Sequence, residues 1–135
     1  MEINSIAVAV RMAHMIYTAL KDRVNFSSIV IFTDSEIALS WLAKYPLPKD
    51  VGVLVRNRVQ EIRRIVADID KPVRFGHIST GDNPAECATR GLSASELRDH
   101  MWWRGPEFLC PCKRHGPRRT SSSVSHPMTT PKQNP

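Results

Sequence analysis

The apolar residues at the start of the chain recur at steps of three and four. This spacing is typical of one side of an amphipathic helix, and it includes Ile3, Ile6, Ala7, Val10, Ala13, Tyr17 and Leu20. Glu2 lies in the first turn, where a carboxylate interacts favourably with the positive end of the helix dipole. Amphipathic helices usually follow a cap or a strand. The pattern therefore predicts a helix cut from a larger domain that begins upstream.

The stretch from Ser27 to Asp34 follows, with an unbroken run of β-branched and aromatic residues at positions 29–33 that stops at Asp34. Apolar residues without alternation are typical of a strand buried on both faces. A helical pattern resumes directly after this strand, and either Asp34 or Ser35 has a side chain that can cap it. The sequence therefore predicts a strand that leads at once into a helix, with Asp34 at the junction.

The remaining pattern predicts three more helices and a second strand. Residues 51–67 carry an apolar helical stripe, and residues 71–78 alternate as a strand exposed on one side does. Residues 84–89 predict a short helix, and Ser93 and Glu96 have the spacing of a capping box. The order indicates an α/β layer with parallel strands. Because fewer than three strands seldom stand alone, it also predicts sheet partners outside the sequence.

Composition divides the 135 residues into two parts. Residues 110–135 contain no acidic residue and five basic ones, which are Lys113, Arg114, Arg118, Arg119 and Lys132. Because the whole chain has 19 basic and 13 acidic residues, residues 1–109 carry 14 basic against 13 acidic. We therefore predict a folded domain over 1–109 and a disordered, basic, Pro/Ser/Thr-rich tail over 110–135.

Cysteine usage and hydropathy predict the cellular setting. Three cysteines are too few and too unevenly spaced for a disulfide scaffold, which favours a reducing compartment. No apolar run approaches the roughly 18 residues of a membrane span, and no signal peptide is evident. We expect an intracellular protein, cytoplasmic or nuclear, without a membrane partner. Cys110, Cys112 and His115 are a weak zinc signal, since the cysteines are separated by one residue rather than two to four.

Four side chains are candidates for catalysis. Asp34 ends the apolar strand, and ligands of open α/β sheets gather at the carboxyl ends of strands. His77 lies at the end of the second strand, where it could assist proton transfer. Glu2 and Glu86 lie in helices. Each has a structural alternative: a helix cap for Asp34, surface acids for Glu2 and Glu86, and an ordinary strand-end histidine for His77.

The three acids of this set, Glu2, Asp34 and Glu86, together suggest a site for a hard metal. Carboxylate oxygens suit Mg²⁺ or Mn²⁺, and a pair of such ions can cleave a phosphodiester. Asp82 is a rival acid, but its loop next to Asn83 favours a turn or capping role.

Four blocks of the chain resemble a known family in their order and spacing. They are TDSEIALSWL at 33–42, VRNRVQEI at 55–62, NPAECATRGLS at 83–93 and WWRGPEFL at 102–109. Together they resemble the ribonuclease H region of Pao/BEL-type retrotransposon polyproteins over about residues 2–109. The tail does not resemble the integrase that follows in that family.

The resemblance implies roles for individual residues. The helix-borne glutamate of the family matches Glu2, the strand-end aspartate matches Asp34, and the histidine near the active site matches His77. The last metal-binding carboxylate, an aspartate in the family, matches Glu86, whose extra methylene could displace a metal by around 1 Å. Two Mg²⁺ (or Mn²⁺) ions are expected in the complete domain.

The resemblance also implies an incomplete fold. Ribonuclease H domains of this kind begin with three antiparallel strands, the first of which carries a further catalytic aspartate, and these precede the part matched here. The implied fold is two core parallel strands flanked by helices.

Two functions follow as expectations. The first is a fragment that by descent cleaves the RNA strand of an RNA–DNA hybrid, as part of a reverse transcriptase polyprotein, and is nearly inactive alone. The alternative is a non-catalytic retroelement relic or a nonspecific nucleic-acid-binding protein. A small helical DNA-binding module is disfavoured by the apolar strand that ends at Asp34.

Overall fold

The structure, a computed structural model, describes residues 2–44 and 46–109, together with the backbone of residues 126–127. The described residues divide into two compact units, one of residues 2–77 with 126–127 and one of residues 78–109. The predicted division into 1–109 and a tail stays a prediction, because most of residues 110–135 lies outside the described residues. The weak zinc signal at Cys110, Cys112 and His115 also lies outside them.

The first unit is an α/β layer built on two parallel strands, as the sequence predicts. Strand β1, Ile29–Thr33, pairs in parallel with strand β2, Val73–His77, so that Ile31 lies opposite Phe75. The Ile29 amide donates to the Pro72 carbonyl at 2.9 Å. A two-residue strand β3, His126–Pro127, pairs antiparallel with the other edge of β2.

Helix α1, Glu2–Leu20, covers one face of this sheet and packs along a helix that precedes β2. Five of the seven residues that the periodicity predicts to face the core are buried, and they are Ile3, Ile6, Ala7, Val10 and Tyr17. Of the other two, Ala13 is partly buried and Leu20 is exposed. The Tyr17 hydroxyl donates to the Asp70 carboxylate. This hydrogen bond joins the C-terminal part of α1 to the turn before β2.

Two helices form the crossover between the parallel strands. Helix α2 spans Glu36–Ala43 and helix α3 spans Val53–Ala67, two residues later than the predicted start. Val59 and Ile62 of α3 are fully buried. The guanidinium of Arg63 donates to the Leu42 carbonyl at 2.9 Å, which ties α3 to the last turn of α2.

The prediction that β1 is buried on both faces is wrong for the described residues. Ile31 is buried, whereas Val30 is 46% exposed and Phe32 is 39% exposed. Successive side chains of a strand point to opposite faces, and α1 packs on the face that carries Ile31. Phe32 lies beside Gly76, where an added Cβ would come within 2.9 Å of its ring.

The outward side of α1 is apolar as well. Val8, Met12, Met15 and Ile16 are each about half exposed, on the side opposite the buried stripe. By length and composition, α1 is the one helix among the described residues that could cross a membrane. Core helices of soluble proteins and signal sequences share that property, and the buried stripe of α1 belongs to the core of its unit. The expected intracellular location stays a prediction.

The second unit consists of short elements. Helix α4 spans Glu86–Arg90 and ends at Gly91, whose φ of 73° is a conformation that favours glycine. Helix α5 spans Ala94–Arg98, and the capping box predicted for Ser93 and Glu96 is present. Two 3₁₀ turns, Thr80–Asp82 and Glu107–Leu109, flank these helices.

An ion-pair cluster joins α1 to α3. Arg11 donates through Nε to Glu61 at 2.7 Å, and Arg58 donates to the other oxygen of Glu61 at 2.8 Å. Arg58 also donates to the Asn4 side chain at 2.9 Å. Arg58 is therefore part of the contact between two helices rather than a solvated surface charge.

This cluster predicts a loss of stability in acid. Hydrogen bonds from Arg11 and Arg58 hold the pKa of Glu61 below its usual value of 4.5. A depressed carboxyl pKa stabilises the fold above the unfolded-state pKa, and this contribution disappears as pH falls through the lower folded-state pKa. Urea unfolding should therefore show Glu61→Gln to be destabilised at pH 6 by less than about 1 kcal/mol, since the pair is partly exposed. The variant should converge on the parent as the pH falls below the lowered pKa of Glu61.

The matched control for this prediction is Gln60→Ala, a change at an exposed residue of α3 that removes no titratable group. Its difference from the parent should stay constant over the same pH range. A Glu61→Gln difference that is equally constant would show that the cluster contributes no pH-dependent stability.

Candidate functional site

The carboxyl ends of β1 and β2 lie at the same edge of the sheet. Thr33 and His77, the last residues of the two strands, are register partners. Neighbouring strands lie about 4.8 Å apart, and Asp34 follows Thr33 directly. The structure thus brings Asp34 and His77 to one edge of the sheet.

Ser35 acts as the cap of α2. Its hydroxyl accepts a hydrogen bond from the Ala38 amide at 3.2 Å, and its own amide donates to the Thr33 hydroxyl at 3.2 Å. Ser35 is 6% exposed, whereas Asp34 is half-buried. The alternative role of Asp34 as the helix cap is therefore excluded. Among the described residues, no hydrogen bond or ion pair engages the Asp34 carboxylate.

Glu2 reaches the same edge from the start of α1. The Ser35 hydroxyl donates to a carboxylate oxygen of Glu2, so one serine both caps α2 and holds the glutamate. The contact places the Glu2 carboxylate beside the residue that follows Asp34. We call Glu2, Asp34, Ser35 and His77 the carboxyl-edge cluster.

The cluster is open to solvent, because Glu2 and His77 are exposed. Within the described ranges, no group of three or more His, Cys, Asp or Glu side chains is close enough to hold a metal ion. Two carboxylates nevertheless fit the chemistry of Mg²⁺, which is often bound through one or two carboxylates together with substrate phosphates. Carboxylate oxygens as a class favour a hard cation over zinc.

The fourth predicted residue, Glu86, lies in the second unit. It begins α4, where its carboxylate pairs with Arg90 at 3.0 Å in an i,i+4 arrangement. Asp82, the rival acid, accepts a hydrogen bond from the Ser79 hydroxyl at 2.7 Å within a 3₁₀ turn. Asp82 is therefore a turn residue, as the sequence predicts.

Sequence reasoning considered Ser35 only as a cap and missed its contact with Glu2. No local pattern reveals this contact, because the two residues are far apart in the chain. The Arg58–Glu61 pair has a detectable signal, since residues three apart are neighbours on a helix. The link from Arg11 to Glu61 has none, because it joins separate helices.

A comparison of the chain with protein-family models, with curated proteins and with solved structures finds no match.

Proposed function

We propose that this chain is a ribonuclease H-like fragment of the Pao/BEL type, which by descent cleaves the RNA strand of an RNA–DNA hybrid. One observation supports the proposal. Ser35 rather than Asp34 caps α2, so the Asp34 carboxylate is available at the carboxyl edge. The Ser35 hydroxyl also donates to Glu2, which holds the Glu2 carboxylate at the same edge. A surface acid or a helix cap needs no such arrangement. The parallel strands that end at this edge agree with the proposed fold.

In this proposal Glu2 and Asp34 would hold divalent ions, with two Mg²⁺ or Mn²⁺ expected in the complete domain. The resemblance to the family assigns the last metal-binding carboxylate to Glu86. Bound ions of this kind activate water and stabilise the leaving oxygen. His77 lies at the same edge as Asp34, where its imidazole can carry a proton to or from the substrate.

The substrate and partner follow from the same proposal. An RNA–DNA hybrid differs from duplex DNA by its 2′-hydroxyl groups and groove shape, and these provide the discrimination. The remainder of a reverse transcriptase polyprotein supplies the other parts of the domain. Two carboxylates at the described edge are fewer than a two-metal site uses, and we therefore expect weak or undetectable cleavage by this chain alone.

The test measures ion binding and cleavage separately. Mn²⁺ binding, followed by electron paramagnetic resonance, should weaken at least about tenfold in Asp34→Asn, because a carboxylate ligand is lost. The control Asp50→Asn removes an exposed acid before α3 and should bind Mn²⁺ as the parent does. Cleavage of a labelled hybrid in Mg²⁺ should stay near background for all three proteins.

One result would contradict the metal site, and another would contradict the expected near-inactivity. An Mn²⁺ affinity that is the same in Asp34→Asn as in the parent would show that Asp34 is not a metal ligand. Robust hybrid cleavage that disappears in Asp34→Asn would retain the nuclease assignment but overturn the expected near-inactivity.

The second candidate function is nonspecific nucleic-acid binding by a non-catalytic relic. The observation that favours it is the segment 110–135, with five basic residues and no acid. Binding of this kind releases counterions and weakens steeply with salt. It should be unchanged in Asp34→Asn, which distinguishes it from the metal-dependent function.

A further inference from the structure

Ser35 and Ser93 cap two different helices, and their hydroxyl protons go to different kinds of acceptor. The Ser93 hydroxyl accepts a hydrogen bond from the Glu96 amide at 3.3 Å and donates to the Glu96 carboxylate at 2.6 Å. This is a capping box, formed between the cap of α5 and the third residue of the same helix. The proton of Ser93 is therefore used within its own helix.

Helix α2 has no such local acceptor. Its third residue is Ala38, whose amide donates to the Ser35 hydroxyl at 3.2 Å but whose side chain has no polar atom. The Ser35 hydroxyl donates instead to Glu2, which lies 33 positions earlier in the chain. Because alanine stands where a capping box has Glu or Gln, the proton of Ser35 is left for a residue outside the helix.

The Ser35 side chain has little freedom to turn to another acceptor. It is buried, its amide donates to the Thr33 hydroxyl at 3.2 Å, and its hydroxyl oxygen accepts from Ala38. These bonds fix both the backbone and the oxygen, so the proton is presented in a defined direction. Glu2 is exposed, and an exposed glutamate without such a partner would exchange among several rotamers.

The contact with Ser35 engages one oxygen of the Glu2 carboxylate. Ser35 donates to Oε2, and among the described residues no other hydrogen bond or ion pair involves this carboxylate. Carboxylates that bind metal ions are commonly hydrogen-bonded by a neighbouring group, which fixes their orientation. The Ser35 hydroxyl has this relation to Glu2.

We infer that Ser35 is a positioning residue that acts on cation binding through Glu2. Its hydroxyl holds Oε2, so that Oε1 remains for a divalent ion that Asp34 also binds. The inference rests on the proposed metal site and adds to it a residue that supplies no ligand but controls the affinity. A serine whose only role is to cap α2 would have no such effect.

Mn²⁺ binding by the full chain, followed by electron paramagnetic resonance, tests the inference with a variant that keeps the helix. Glycine is accepted at helix caps nearly as well as serine, so Ser35→Gly removes the donor to Glu2 while α2 stays folded. The Mn²⁺ affinity should fall roughly tenfold, as is typical when a group that orients a ligand is lost. The circular dichroism spectrum should match that of the parent.

The matched control is Ser93→Gly. It makes the same change at the cap of α5, where the serine donates to a glutamate of its own helix. Ser93→Gly should bind Mn²⁺ as the parent does.

A double-mutant cycle separates positioning from a general disturbance of the carboxyl edge. Glu2→Ala removes the carboxylate through which Ser35 acts. In that background, adding Ser35→Gly should change the Mn²⁺ affinity by less than about twofold, because the two residues act as one unit. A purely structural role of Ser35 would lower the affinity equally in both backgrounds.

Two results would overturn the positioning role. The first is an Mn²⁺ affinity of Ser35→Gly equal to that of the parent, and the second is a loss that persists in the Glu2→Ala background. In either case, weaker Mn²⁺ binding by Asp34→Asn would show that the proposed metal site stands without Ser35. An affinity that is unchanged in Asp34→Asn would contradict both the site and the positioning role.

Discussion

Replacing Ile62 by alanine is expected to lower the free energy of unfolding by about 2–5 kcal/mol. Ile62 is fully buried in α3, within the core that α3 forms with α1 and the sheet. The change removes apolar contacts and leaves a cavity. Domains of this size have a free energy of unfolding of only about 5–15 kcal/mol, so the loss is a large fraction of the total stability. Chemical denaturation followed by circular dichroism measures the effect.

Val53→Ala is the matched control for Ile62→Ala. Val53 lies on the same helix but is 62% exposed, and surface changes of this kind usually alter stability by no more than about 0.5 kcal/mol. An equal loss of unfolding free energy in the two variants would mean that the face of α3 that carries Ile62 is not buried.

Replacing Ser35 by alanine is expected to cost about 1–2 kcal/mol. The change leaves the first turn of α2 without its side-chain cap and also removes the donor to Glu2. Asp34→Asn, at the neighbouring position, should change stability by less than about 0.5 kcal/mol, because Asp34 caps nothing. Guanidinium unfolding of the two variants makes the comparison.

The comparison also bears on function. If Asp34→Asn proves as destabilising as Ser35→Ala, Asp34 has a structural role that its geometry does not reveal. The carboxyl-edge cluster would then lose the carboxylate on which the nuclease proposal depends. A stable Asp34→Asn variant with altered metal binding gives the opposite conclusion.

Local patterns predicted the elements of the fold well. The period of α1, the alternation of β2 and the capping box at Ser93 each depend on residues a few positions apart. The parallel pairing followed from element order, since a helical crossover between two strands favours it. Placing Asp34 at the end of a strand followed from the same local pattern.

Contacts between distant residues could not be predicted. The apolar run of β1 predicts a strand with apolar side chains on both faces. Whether one face or both are buried depends on which other elements pack against the strand, and the local sequence does not contain that information. The links from Tyr17 to Asp70 and from Arg11 to Glu61 join segments that no periodicity relates. The choice between Asp34 and Ser35 as the cap depended on side-chain geometry, because both residue types cap helices well.

The parallel pairing of β1 with β2 has a consequence for biosynthesis. Because Ile29 pairs with Val73, β1 acquires this partner only after the crossover helices and β2 have left the ribosome. Until then a short apolar segment is exposed on the nascent chain, and such segments are prone to aggregation. Chaperone capture during translation should therefore peak before residue 77 emerges and decline afterwards.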